Sequence, residues 1–338
     1  MIYDRSFFRE HAKSTYCFYR SQLNENQKST YNIIREGLYD LSASIRVKNT
    51  SIKEIESIYQ AIRLDNPSLF YVESISYQQM ALLPFGDVHP AYRFQGVQID
   101  ATLNACVTKI NRLLAQANGK SNLTKELVVH HFFSNNVKYD YDFMTSSYEC
   151  VGPLLFGKGV CEGISKAAKL IFDLCGINSL VVHGNALSSR ISNSDTGHAW
   201  NIVSLSSVFY HLDITFDLTI MSHGIERFDY LNLSDCEMKK DHAWDVQIAP
   251  TCNLSGDYYK QHGMYFQTQA DFRQYLKKNI LSASSDIVFR LPATANAEAA
   301  SQEIIYVLQH TPAIKFKNKR EFQICYNELQ RVFHIHYL

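Results

Sequence analysis

Residues 152–165 read GPLLFGKGVCEGIS, and this stretch allows two interpretations with different chemistry. Gly152, Gly157 and Lys158 have the G-x-x-x-x-G-K spacing of a phosphate-binding loop. Such a loop continues with Ser or Thr, whose hydroxyl binds Mg²⁺, and it follows a buried strand. Here Gly159 follows the lysine, and the preceding YDYDFMTSSYEC is not an apolar strand. The stretch therefore disfavours a nucleotide site and favours a glycine-rich turn that presents Cys161.

The residues after Cys161 predict an amphipathic helix that begins at or just after this cysteine. Apolar side chains recur at helical spacing as far as Gly176, a typical left-handed helix stop; they are Ile164, Ala167, Ala168, Ile171, Leu174 and Cys175. The free N–H groups and the positive dipole end of such a helix stabilise a thiolate. A free cysteine is also common as a small core residue, so this stretch alone leaves both interpretations open.

Composition excludes several broad classes of protein. The chain has 338 residues, enough for two or three domains, and its 33 basic and 33 acidic residues give zero net charge. This balance argues against a general binder of nucleic acids or of acidic membranes. The N-terminal MIYDRSFFREH lacks the apolar region of a secretory signal, and no run reaches the length of a membrane span. The eight cysteines, without C-x-x-C pairs, then predict reduced thiols in a cytoplasmic protein.

Periodicity divides the chain into a mainly helical region at residues 1–95, a core at residues 96–250 and an α/β region at residues 251–338. Asn24 and Ser51 each precede a helical pattern and have a glutamine or glutamate three residues later, which is the capping-box pattern. In the helix that follows Asn24, apolar residues continue at helical spacing as far as Ile45, so this helix is predicted to extend to Ile45.

Later elements follow from the same reasoning. A long helix is expected at about residues 96–117, and a shorter one capped by Asn122 follows it. The C-terminal region predicts two helices, at TQADFRQYLKKNIL and ANAEAASQEIIYVLQH, with a strand at DIVFRL and a closing pair of strands. His334 and His336 alternate on one face of the last strand, but two histidines without further ligands are more often surface residues than a metal site.

A cysteine nucleophile needs a base, and the base needs an orienting group. The segment GHAWNIVSLSSVFYHLDITFDL predicts two strands around a short turn. If the turn is Ser206–Ser207, Leu205 opposes Val208, and Asp213 lies diagonally beside His198 on the same face. If the turn is one residue earlier, His198 and Asp213 oppose each other directly. Either two-residue turn brings the imidazole and the carboxylate together, whereas an odd-numbered loop would separate them.

Other assignments of these residues stay open. His198 alone is compatible with a satisfied core histidine, but Asp213 within an apolar strand is costly unless it is paired. His211 also lies beside Asp213 and is a rival base. Asp217 is a rival acid, although its place near the strand end predicts that it is exposed.

Together, these residues resemble the transglutaminase-like superfamily of papain-like cysteine enzymes. The resemblance rests on GKGVCEGISKAAKLIFDLCGI, GHAWNIV and FYHLDITFD, and it covers about residues 122–245. The flanks VVHHFFSNNVKYDYD and FDYLNLSDCEMKKDH resemble bacterial members, some of them close to kyphoscoliosis peptidase. The resemblance implies Cys161 as nucleophile, His198 as base and Asp213 as the orienting residue.

The resemblance also implies a fold. It is an α+β, papain-like core in which the helix carrying the cysteine packs on an antiparallel sheet carrying the histidine and the aspartate. The regions before and after this core are then a helical N-terminal extension and an α/β C-terminal extension. The chain departs from the family pattern at Ile164, where many members have an aromatic residue, and at Phe216, where V-T-W-D has tryptophan. Both departures keep an apolar side chain and leave the triad intact.

The oxyanion hole is less defined by the sequence. The backbone N–H of Cys161 is one natural donor. Tyr148, before the glycine turn, and Trp200 are further candidates for the oxyanion hole or for the pocket wall. For Tyr148 the wall is the favoured role.

The resemblance implies an enzyme that attacks a peptide or carboxamide carbonyl through a thioester, with a protein or peptide as substrate. Hydrolysis, as in a cysteine peptidase or amidase, is favoured over cross-linking by a transglutaminase. A non-catalytic binding scaffold is disfavoured because the chain retains all three residues. The chemistry requires no metal and no organic cofactor, and no acidic loop suggests the calcium dependence of some animal transglutaminases. The oligomeric state stays open.

Overall fold

The computed structural model describes residues 2–80, 83–186, 197–221, 224–282, 286–311 and 322–337. The fold is α+β, as predicted. The N-terminal region is mainly helical and also contains a three-stranded antiparallel sheet with the order β1-β3-β2. Its elements are α1 (Arg5–Ser14), α2 (Phe18–Ser21), α3 (Glu25–Tyr39), β1 (Ile45–Lys48), α4 (Ile52–Asp65), β2 (Val72–Gln79) and β3 (Phe85–Tyr92).

Side-chain caps define where α3 and α4 begin. The Asn24 side chain accepts the N–H of Gln27, and the Gln27 side chain accepts the N–H of Asn24, so the first predicted capping box is confirmed. Ser51 accepts the N–H of Glu54, but the Glu54 carboxylate binds the hydroxyl of Thr50 instead of returning to Ser51. The second pattern is therefore a simple cap, not the predicted box.

The prediction that the first apolar helix continues to Ile45 is wrong. Helix α3 ends at Tyr39, and Leu41 then adopts a φ of 53°, a left-handed conformation that turns the chain out of the helix. Ile45 begins β1 and is buried there. An apolar residue at helical spacing is compatible with a helix or with a following strand, so periodicity alone could not separate them.

The central part of the chain contains the cysteine helix and a five-stranded antiparallel sheet with the order β10-β6-β7-β8-β9. Helix α7 packs on β6 and β7, which is the predicted layering. The elements are α5 (Gly96–Ala117), α6 (Asn122–Asn136), β4 (Lys138–Tyr139), β5 (Lys158–Gly159), α7 (Cys161–Cys175), β6 (Ser179–Ala186), β7 (Gly197–Leu205), β8 (Val208–Leu212), α8 (Ile214–Ile220), β9 (Leu231–Leu233), α9 (Asp235–Met238) and β10 (His242–Trp244).

Helix α5 has the predicted bounds, whereas the cap of α6 is one residue earlier than predicted. Ser121, not Asn122, accepts the N–H of Thr124 through its side chain. Serine and asparagine are both good N-caps, and the sequence offered one directly after the other.

The hairpin β7–β8 has the first of the two predicted registers. Leu205 pairs with Val208, and the turn residues Ser206 and Ser207 have φ values of 50° and 66°, as the twist of a two-residue hairpin turn requires. The prediction that Asp213 lies within the second strand is wrong, because β8 ends at Leu212 and α8 begins directly after Asp213.

One hydrophobic core joins the N-terminal helices to the cysteine helix. It contains Tyr31 of α3, Ile62 of α4, Ile164 and Ile171 of α7, and Val203 of β7. A separate cluster of buried apolar residues lies within residues 272–335. The predicted division of the chain at residues 95 and 250 stays a prediction, and the N-terminal region shares its core with the central part.

The C-terminal region contains helices packed beside a three-stranded antiparallel sheet of order β11-β13-β12. Its elements are α10 (Tyr258–Gln261), α11 (Gln269–Leu281), β11 (Asp286–Arg290), α12 (Ala297–His310), β12 (Phe322–Asn327) and β13 (Val332–Tyr337). Within the described ranges, none of the helices is both long enough and apolar enough to cross a membrane.

Candidate active site

A close backbone contact fixes the start of helix α7. The carbonyl of Ser147 accepts the N–H of Val160 over 3.0 Å. Gly163, in the first turn of α7, lies so close to the same carbonyl that a Cβ atom would overlap its oxygen. Only glycine allows this approach, so the segment before the helix and the first turn of the helix are held against each other.

Asp140 organises the loop that ends at Tyr148. Its Oδ2 accepts hydrogen bonds from the Ser147 hydroxyl over 2.5 Å and from the N–H of Met144 over 3.0 Å. Since Ser147 also contacts the start of α7, this carboxylate connects the loop geometry to the position of Cys161.

Cys161 is the first residue of α7 and is half-buried. Its side chain packs beside a small apolar cluster formed by Leu64, Val181 and Ala199. The first N–H groups of a helix have no partner within it and carry the positive end of its dipole. Val160 precedes the helix, and its apolar side chain cannot cap these groups. The helix end can therefore stabilise negative charge on a thiolate or on an oxyanion.

His198 and Asp213 lie together as the predicted register requires. Nε2 of His198 donates to Oδ2 of Asp213 over 2.7 Å, and both side chains are buried. The other ring nitrogen, Nδ1, is buried and has no hydrogen-bond partner among the described residues. The Cys161 side chain interacts with the same ring, which leaves Nδ1 for the thiol.

The surroundings of His198 favour its protonated form. Burial lowers the pKa of this imidazole, but the charge and hydrogen bond of Asp213 and the interaction with Cys161 outweigh it and raise the pKa to about 10. An imidazolium beside a cysteine stabilises the thiolate.

Asp213 is the N-cap of α8, which explains why the strand ends before it. Its Oδ1 accepts the N–H of Phe216 over 3.0 Å, and its own N–H donates to the Tyr230 carbonyl over 3.0 Å. Burial raises the pKa of Asp213, but the charge of His198 and the hydrogen bonds from His198 and His242 hold it below its ordinary value. The carboxylate is thus ionised and fixed from several sides.

His242 is a residue of this site that the sequence reasoning missed. It begins β10, is buried, and donates from Nε2 to Oδ2 of Asp213 over 2.9 Å. One signal was available: residues 242–244 repeat the tripeptide His-Ala-Trp of residues 198–200.

His211, the rival base, does not contact Asp213 in this arrangement. Its Nδ1 accepts the indole N–H of Trp200 over 3.0 Å, and its Nε2 donates to Oδ1 of Asp235 over 2.8 Å. The pairing of β8 with β9 also shifts register between His211 and Leu212. Trp200 is 1% exposed and stacks on the His198 ring, so the prediction that it lines a pocket or donates to an oxyanion is wrong.

Asp217, the rival acid, is buried, so the prediction that it is exposed is wrong. Its Oδ2 accepts from Nε2 of His130 over 3.0 Å, and its Oδ1 accepts the N–H of Tyr230 over 3.1 Å. His130 comes from α6, far earlier in the chain, so local patterns could not predict the pair. Asp217 therefore belongs to a second buried ion pair.

Tyr148 is 41% exposed, and the pocket wall that was favoured for it stays a prediction. Tyr139, at the end of β4, is a further tyrosine close to the nucleophile. Burial raises the pKa of Tyr139, and the side chains of Cys161, Tyr141 and Tyr148 raise it further. These tyrosines thus lie within electrostatic reach of one another on the segment that precedes the cysteine helix.

Among the described residues, three groups of side chains bring possible ligand atoms within 4.8 Å of one another. They are His198 with Asp213 and His242, His211 with Asp235 and Cys252, and Asp286 with His334 and His336. In the first and third groups, both imidazoles hydrogen-bond directly to the carboxylate. The prediction that the last two histidines are surface residues without a further ligand is wrong for His334, which is buried against Asp286. Hydrogen bonding accounts for these contacts, and the expectation that the reaction requires no metal stays a prediction.

Residues 111–214 match the family model of the transglutaminase-like superfamily, and this segment contains Cys161, His198 and Asp213. This match confirms the resemblance to the transglutaminase-like superfamily that the sequence predicted. Members of the superfamily are generally cysteine-dependent enzymes.

Two solved structures are similar to parts of the chain. A candidate cysteine protease from Cytophaga hutchinsonii is 15% identical, with 42% of this chain and 62% of that chain covered and a TM-score of 0.28. A TGase is 14% identical, with 53% of this chain and 52% of that chain covered and a TM-score of 0.29. At such low identities and TM-scores, neither likeness carries an argument about the reaction. No curated protein sequence matches the chain.

Proposed function

We propose that the protein is a cysteine-dependent acyl-transfer enzyme that hydrolyses a peptide or carboxamide bond through a thioester. The observation that supports this most is the buried His198–Asp213 pair, joined over 2.7 Å, with the Cys161 side chain interacting with the same imidazole at the start of a helix. A nucleophile, a base and an orienting carboxylate are the parts that covalent catalysis on a carbonyl needs.

The first half of the reaction forms the thioester. Nδ1 of His198 takes the proton from the Cys161 thiol, and the sulfur attacks the carbonyl carbon of the substrate. Negative charge develops on the carbonyl oxygen, where the N–H groups at the start of α7 stabilise it. The imidazolium then gives its proton to the leaving nitrogen, so the C–N bond breaks and an amine or ammonia leaves.

The second half releases the acyl group. His198 takes a proton from water, and the resulting hydroxide attacks the thioester carbon. The C–S bond breaks, the carboxylic acid leaves, and the proton returns from the imidazolium to the sulfur of Cys161. Throughout both halves, Asp213 keeps the imidazole oriented and stabilises its positive charge.

Hydrolysis is favoured over cross-linking because water is always present, whereas transfer to an amine needs a site that admits the amine and excludes water. The same thioester would react with a lysine or another primary amine if such a site existed. A protein or peptide substrate and a cytoplasmic location stay predictions from the sequence.

The test offers glutamine-containing peptides together with a labelled primary amine and compares ammonia release with amine incorporation. The proposal expects ammonia or peptide cleavage to dominate, and it expects both products to vanish in Cys161→Ser, whose hydroxyl is a far poorer nucleophile. Dominant incorporation at modest amine concentration would instead identify a transglutaminase. If Cys161 proved unreactive towards alkylating agents as well as substrates, the binding-scaffold alternative would replace the proposal.

A further inference from the structure

Asp213 is held by two imidazoles on the same oxygen. His198 and His242 both donate from Nε2 to its Oδ2, over 2.7 and 2.9 Å. All three side chains are at most 1% exposed. The mechanism above uses only the first of these contacts, so the second needs a reason of its own.

The other ring nitrogen of His242 also faces a carboxylate. Nδ1 lies 2.7 Å from Oδ1 of Asp241, which is likewise buried. The His242 ring therefore bridges two buried carboxylates, with one ring nitrogen at hydrogen-bond distance from each. These hydrogen bonds offset part of the cost of burying two carboxyl groups.

The contact chain continues into the C-terminal region. Oδ2 of Asp241 accepts from the Tyr230 hydroxyl over 2.6 Å and from Nε2 of Gln330 over 3.4 Å. Gln330 lies between β12 and β13 and is buried. The C-terminal sheet thereby contacts the group that supports Asp213.

We propose that His242 is a positioning residue of the active site, which fixes Asp213 so that this carboxylate holds the His198 ring with Nδ1 towards Cys161. The inference rests on the proposed function, because it assigns a role in activating the same cysteine. The N–H of Phe216 holds Oδ1 of Asp213, and His198 and His242 both hold Oδ2, so loss of His242 would leave a single imidazole on the oxygen that orients His198.

The test compares three variants of the full chain. His242→Ala removes the donor, His242→Gln keeps an N–H group that can reach Asp213, and His211→Gln is the matched control. His211 is also a buried histidine with hydrogen bonds on both ring nitrogens, but its partners are Trp200 and Asp235. The readouts are the melting temperature, the rate at which iodoacetamide alkylates Cys161, and kcat and KM on any peptide that the wild type turns over.

We expect His242→Ala to lower the alkylation rate and kcat by about 10- to 100-fold, the scale for losing a group that orients a functional ligand, with little change in KM. His242→Gln should recover part of the loss, and His211→Gln should remain close to the wild type. The inference is overturned if His242→Ala alkylates like the wild type. It is also overturned if both histidines, when replaced, lower rate and melting temperature together, because His242 would then serve packing alone.

Failure of the proposed function gives a different pattern. In that case Cys161 of the wild type is alkylated no faster than Cys175, and His198→Ala does not change this rate. Both the nucleophile role of Cys161 and the positioning role of His242 are then wrong. If the wild type is reactive and His198→Ala is not, the function stands and only the role of His242 is decided by its variants. Should His242→Ala fail to fold, the comparison of His242→Gln with His211→Gln still decides it, since only the former is expected to change the rate.

Discussion

The indole nitrogen of Trp200 donates a hydrogen bond to Nδ1 of His211 over 3.0 Å. This bond, with the one from His211 to Asp235, occupies both nitrogens of the only nearby rival to His198 that the sequence offered. We therefore expect His198→Ala to lower kcat/KM by at least about 10³-fold, the scale for losing the general base of a triad. His211→Ala should retain much of the activity. The measurement is kcat/KM for both variants, and the reverse ranking would transfer the role of base to His211.

Cys161 should be the fastest of the eight cysteines to react with iodoacetamide near neutral pH. Its place at the helix start and its contact with His198 favour the thiolate. Burial raises the pKa of Cys175 to about 11 and that of Cys106 to about 12, so both should react slowly. Peptide mapping by mass spectrometry after short exposures gives the order. The exposed Cys236 is the thiol to compare for access alone, and equal rates at Cys161 and Cys175 would argue against the nucleophile.

Gly163→Ala should destabilise the protein and reduce the reactivity of Cys161. The added methyl overlaps the Ser147 carbonyl, so the loop or the helix start must move, with an expected loss of about 1–3 kcal/mol in the free energy of unfolding. Gly176→Asn is the matched control, because Gly176 has a φ of 72° that asparagine tolerates and open space around a Cβ. Urea denaturation measures the stability of both variants, and the iodoacetamide rate measures the reactivity of Cys161 in each. An alanine at position 163 that leaves stability and alkylation unchanged would show that the close contact does not position Cys161.

The pair of His130 and Asp217 predicts a pH-dependent contribution to stability. Burial lowers the pKa of His130, but Asp217 and Glu226 outweigh it and raise the pKa from 6.5 to about 9. A raised histidine pKa gives stability that is fully present below the unfolded value and lost as the pH rises through the folded value. The melting temperature of the wild type should exceed that of His130→Gln most at about pH 6, and this difference should shrink towards about pH 10. A difference that stays constant across this range would contradict the ion pair.

Local patterns were enough to predict the parts of the site that lie close in sequence. Helical spacing after Cys161 predicted that it begins a helix, and α7 does begin there. Strand alternation and a two-residue turn predicted that His198 and Asp213 lie together, and they are 15 positions apart. The exact end of the strand was not predictable. Asp213 caps α8 by accepting the N–H of Phe216, but the apolar residues around it have the same pattern as a continuing strand.

Contacts between distant parts of the chain were not accessible to this reasoning. Asp217 was expected at the surface, yet it pairs with His130 at a separation of 87 positions. His242 reaches Asp213 only because β10 joins the far edge of the sheet beside β6. Periodicity describes one element at a time, so it cannot say which elements become neighbours.

The most direct test of the account is the rate of Cys161 alkylation near neutral pH in the wild type and in His198→Ala. If His198 activates Cys161, the wild type reacts at least about 10-fold faster than the variant. Equal rates would show that the two residues do not act as a pair and would contradict the proposed enzyme.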